Sequence, residues 1–131
     1  MKLGEARLEI QANSVRINLA KRRLVVGSPE EISDTLDKIN GLLNTNQSLA
    51  QRIKLTEQRT RLGDTSLLEV VGALSLIQEK IKVLEVLSVR QDLDSLQKEG
   101  ISSQLLNYRS TRDTLSSAVD KCLWETDLLD E

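Results

Sequence analysis

Apolar residues fall three and four apart along most of this chain, and that spacing points to helices packed on helices. Leu3, Ala6, Ile10, Ile17, Ala20 and Leu24 keep heptad time, with Asn13 at the one polar beat. Leu67, Val70, Leu74, Ile77, Ile81 and Leu84 repeat the pattern later. Such spacing lays an apolar stripe along each helix, which another helix must cover. The expected fold is all-α: an antiparallel helical bundle of about four helices with coiled-coil-like packing. Its 131 residues are read as a single domain, 1–131, able to bury roughly two-thirds of the unfolded surface without staples.

The first helix is expected from about Lys2 to Val25. It also carries a second stripe of Leu8, Ala12, Val15, Leu19 and Val26. Two stripes call for two partners, either two bundle neighbours or one neighbour and a second subunit. At the turn, Gly27 should take a left-handed stop and Ser28 should cap. Pro29 should fill the first helical position, and Glu31 complete a capping box. The second helix then carries Ile32, Leu36, Ile39, Leu43, Ala50 and Ile53 and ends at Gly63.

Ser66 with Glu69 supplies another capping box ahead of the most apolar segment, LLEVVGALSLI. Its stripe continues through Val89, Leu93 and Leu96, which favours one helix to about Lys98 over a break near Ser88–Asp92. Gly100 then turns the chain into a last helix from about Ser102 to Thr126, with Leu105, Tyr108, Leu115, Val119 and Cys122 inward. Second and third helices of ~33 residues, about 50 Å each, form a long hairpin that shorter neighbours leave partly uncovered. Leu67, Val70, Val71, Leu74 and Ile77 are the face left for a partner, and a homodimer is the simplest partner.

The chain has no histidine and one cysteine, Cys122. It therefore lacks the commonest general base and metal ligand, and it can form no internal disulfide or Cys-cluster metal site. A Ser-His-Asp triad is impossible, and neither G-x-S-x-G nor a D-x-D-x-D-G calcium loop occurs. No catalytic, cofactor or metal residue is assigned, and a non-enzyme is expected. Basic and acidic residues number 18 and 20, intermixed, so no nucleic-acid or lipid footprint stands out. MKLGEARLEIQ carries charges where a signal peptide needs apolar residues, and no run approaches the ~20 residues of a membrane span. A cytoplasmic location is expected.

Thr56, Arg59, Thr60, Arg61 and Asp64 form the densest polar cluster. Two arginines beside a helix start could hold a phosphate or carboxylate, although a solvated hairpin with dipole-compensating arginines fits the same residues. Asn13, Asn44 and Asn46 fall near one level. They read better as a buried layer fixing register than as an amide-lined pocket. Trp124 is expected to anchor the last helix.

Several blocks resemble a family of small bacterial helical proteins labelled septicolysin-like. They are Met1, Lys2, Leu3, Glu5 and Ala6, then Ile53, Thr56, Thr60, Arg61 and Leu62, then Trp124, Thr126, Asp127 and Leu128. Lys54 and Glu57 stand where the family pattern has asparagines, and its D-G pair is here reduced to Gly63-Asp64. The resemblance implies an all-helical cytoplasmic protein and transfers no catalytic residues. The leading functional expectation is a non-enzymatic, oligomeric interaction module with an unknown protein partner. A small-anion or nucleotide binder using Arg59 and Arg61 is the alternative, and a septicolysin-like cytolysin is a third.

Overall fold

The computed structural model describes residues 1–130. It is a small all-helical bundle with a two-stranded sheet as its only regular extended element among those residues. In chain order come α1 (Leu3–Val26), a single 3₁₀ turn (Pro29–Glu31), α2 (Ile32–Arg59), β1 (Arg61–Leu62), β2 (Thr65–Ser66), α3 (Leu67–Ser88) and α4 (Ser95–Glu125). Two compact units share this chain. One comprises Met1–Arg59 with the residues from Leu123 onward, and the other is Thr60–Cys122.

In the first unit α1 and α2 lie antiparallel. Ile17, Ala20 and Ile39 form a buried cluster flanked by Leu24 and Leu42. Asn13, 2% exposed, donates from Nδ2 to Asn46 Oδ1 at 3.0 Å, and Arg16 closes the layer with a 2.7 Å bond to Asn13 Oδ1. These amides fix the register, because any slip would bury one of them unpaired. Asn44 stays exposed, outside the layer.

The inner stripe of α2 differs from the expected one. Ile32, Leu36, Leu43 and Ala50 are exposed, while Ile39, Leu49, Ile53, Thr56 and Glu57 are buried. The heptad that faces α1 runs Ile39, Leu42, Asn46, Leu49, Ile53, Thr56. Two of its beats are polar, so apolar spacing alone picked a neighbouring face.

The turn after α1 also departs from expectation. Gly27 is extended, at φ −76°, and Ser28 makes no side-chain cap bond. Glycine is required here for closeness: a Cβ would lie 2.6 Å from the Arg23 carbonyl oxygen and 2.9 Å from a Glu31 carboxylate oxygen. Pro29 does occupy the first position of the short turn.

The second unit begins with a β-hairpin that the expectation lacked. Arg61 pairs with Ser66 and Leu62 with Thr65 around Gly63-Asp64. Gly63, at φ 64°, holds the first central position, where a two-residue hairpin of this type needs glycine. Ser66 then caps α3 as expected, its Oγ accepting from the Glu69 N–H at 3.2 Å.

The favoured single helix to Lys98 does not form: α3 stops at Ser88, where the rival reading placed a break. Ser88 Oγ bonds the Glu85 carbonyl at 2.7 Å, and Arg90 pairs with Asp92. Asp94 then starts α4. Its carboxylate accepts from Gln97 N–H at 2.7 Å, and Gln97 Oε1 accepts from Asp94 N–H at 3.1 Å. Gly100, expected as a turn, lies inside α4. The helices expected at ~33 residues are 28 and 22 residues long, and α4 has 31. Leu105 and Val119 are buried on α4 and Tyr108 is half-buried, as expected. Arg109 pairs with Glu85 at 3.2 Å, and Lys80 Nζ sits 5.6 Å from the Tyr108 ring centre, tying α4 to α3.

Candidate functional site

The polar cluster around the end of α2 is divided between the two units. Thr56 and Arg59 belong to the first, and Thr60, Arg61 and Asp64 to the second. Thr56 is fully buried and its hydroxyl is committed: it donates to the Arg52 carbonyl at 2.7 Å and accepts from Leu129 N–H at 2.9 Å. Arg59, Arg61 and Asp64 are exposed. At the start of α3, Leu67 N–H donates to the Thr60 carbonyl at 2.8 Å and Glu69 N–H to Ser66. Two donors that an anion would use are therefore already taken.

Around Thr56 the first unit builds a clasp from three distant stretches. Lys2 pairs with Asp127 through an isolated β-bridge and a 2.7 Å ion pair, which holds the Asp127 carboxyl below the usual range. Leu3 N–H donates to the Thr126 carbonyl at 2.9 Å, and Leu128 N–H to the Met1 carbonyl at 2.8 Å. Arg52 reaches the Leu129 carbonyl at 3.1 Å and Asp130 at 3.0 Å. Trp124 lies across Gly4, where a Cβ would stand 3.0 Å from its ring. The tryptophan does anchor the end of α4, but it remains half exposed.

Beside the clasp, Arg7 pairs with Glu57, whose side chain is 5% exposed. Burial pulls the Arg7 guanidinium below the usual arginine value, yet it stays a cation at neutral pH. Arg7, Ile10, Gln11, Ile53, Lys54 and Glu57 line an open cleft of about 340 Å³. Sequence reasoning missed this pair. The available signal was the Asn13–Asn46 layer: extending an antiparallel register from it carries Arg7 to the last turns of α2. Among the described residues no three His, Cys, Asp or Glu side chains cluster to hold a metal.

The expected oligomer face is not an open surface. Leu67 is fully buried, and Val70, Val71, Leu74 and Ile77 are half-buried. The hairpin that was to leave them uncovered rested on a third helix reaching Lys98, and α3 ends ten residues sooner. The open apolar surface on α1 lies elsewhere: Leu8, Val15 and Leu19 on its second stripe are 53%, 59% and 53% exposed. No helix among the described residues is long and apolar enough to cross a membrane. No family model, curated protein or solved structure matches this chain.

Proposed function

We propose that this protein is a non-enzymatic helical interaction module that works by self-association. The observation that carries this reading is the second stripe of α1. Its first stripe is buried against α2, while Leu8, Val15 and Leu19 on the opposite side are left more than half exposed. A solitary exposed leucine is ordinary, but a heptad-spaced row on a well-formed helix is the shape that a partner helix covers. The missing histidine and the committed polar groups around Thr56 fit a binding protein better than an enzyme.

A cytoplasmic, bacterial, septicolysin-like protein fits within this reading. The residue blocks behind that resemblance supply most of the clasp, which gives them a structural reason to recur together. Anion binding by Arg59 and Arg61 has less support, since Thr56 and two helix-start N–H groups are occupied. Sedimentation of the wild type at micromolar to ~100 μM concentration tests the module, a range suited to a small interface. The expected result is a mass above that of the monomer, lost in Leu19→Glu with helicity unchanged. A wild-type monomer throughout that range would overturn it.

A further inference from the structure

We infer that the partner on the outer stripe of α1 is a second copy of α1, running antiparallel about a two-fold axis near Asn13 and Ser14. This rests on the self-association reading and names the occupant, direction and register of that surface. The stripe has heptad order Glu5, Leu8, Ala12, Val15, Leu19, Arg22: an apolar centre with opposite charges at its two ends. In a parallel pair, each residue of the stripe meets its own copy. Glu5 would then face the partner's Glu5, and Arg22 the partner's Arg22, setting like charges together in the seam. Turning one helix around replaces both repulsions with attractions. Glu5 faces the partner's Arg22, Leu8 the partner's Leu19, and Ala12 the partner's Val15, each pairing occurring twice.

The flank supports the same register. Antiparallel helices bring the residues following Leu8 and Val15 together, namely Glu9 and the partner's Arg16. Within one helix this pair already sits at 3.4 Å, with both side chains near the edge of the stripe and about half exposed. Sliding one helix by a heptad so that the axis moves half a heptad toward Val26 sets Arg16 against the partner's Arg16, and sliding it the other way sets Glu9 against the partner's Glu9. The chosen register alone avoids both. Its one like-charge encounter is Lys2 with the partner's Arg23, and Lys2 already holds Asp127 at 2.7 Å. The centre of the seam is small on small, Ala12 against the partner's Val15, which lets the helices approach closely.

Cysteine pairing between chains tests the register. In a Cys122→Ser background, Leu8→Cys and Leu19→Cys are made as separate proteins, mixed in equal amounts and oxidised. Each retains one leucine layer in the mixed dimer, and both positions are exposed, so the fold should hold by circular dichroism. The expected product is a covalent dimer from the mixture and none from either variant alone. A dimer from Leu8→Cys alone would mean a parallel pair and would overturn the proposal. A mixture that stays uncrosslinked, while the wild type still sediments as a dimer, would overturn this register and leave the self-association reading standing. A wild type that sediments as a monomer would remove both.

Discussion

At the scale of single residues, the polar groups inside the first unit carry most of the specificity. Asn13 was legible in sequence, because a lone asparagine on a clean heptad beat marks a buried polar layer. Thr56 was not. Its role depends on Leu129, 73 positions away, and no local pattern reports a hydrogen bond of that range. Thr56→Val keeps the shape and removes the hydroxyl, leaving the part-buried Leu129 N–H without its acceptor. The expected loss is about 1–3 kcal/mol, the desolvation penalty of an unpaired backbone donor. Urea unfolding followed through the fluorescence of Trp124, the only tryptophan, measures it in the same clasp. An unchanged midpoint would mean that the Thr56–Leu129 bond does not hold the clasp.

At the scale of elements, caps decided the helix boundaries, and apolar spacing misled wherever it ran on. Val89, Leu93 and Leu96 continue the beat of α3, yet the chain leaves the helix at Ser88 and re-enters at Asp94. The D-x-x-Q box at Asp94 was a readable signal that the sequence reading did not use, since heptad continuity carried that boundary. Gly100 drew a boundary that does not exist, because a helix can absorb one glycine at a cost of ~1 kcal/mol. Ser28 was the opposite case: the right residue type beside Gly-Pro, but with its side chain left out of the cap. Asp94→Ala is therefore expected to destabilise by about 0.5–2 kcal/mol and Ser28→Ala by no more than a few tenths. Thermal unfolding of the two variants side by side checks the ranking, and a larger loss at Ser28 would contradict the turn geometry described for it.

For the whole molecule, the class of fold was legible in the sequence, while the choice of a partner surface turned on where one helix ends. Helix lengths set which face is left over, and with α3 ending at Ser88 the length argument for the Leu67–Ile77 face no longer applies, while Leu76, Val83 and Val86 of α3 are 56%, 60% and 70% exposed. The second stripe of α1 was already visible in sequence, but only the structure showed that its own chain leaves it exposed. The proposed self-association through that stripe predicts a stability that depends on concentration, since a dimer that binds only the folded state stabilises it by mass action. Raising the protein from about 2 μM to about 200 μM should lift the unfolding midpoint by roughly 2–5 °C for a chain of this size. Val15→Glu puts a carboxylate in the middle of the seam and should flatten that dependence while leaving the dilute midpoint almost unmoved, because Val15 is already 59% exposed in the single chain. Inorganic phosphate added to the dilute protein separates the anion-binding alternative, which needs a rise in midpoint without any change in mass. A midpoint independent of concentration in the wild type would count against α1 as a self-association surface, and a rise with phosphate in the same samples would turn attention to Arg59 and Arg61.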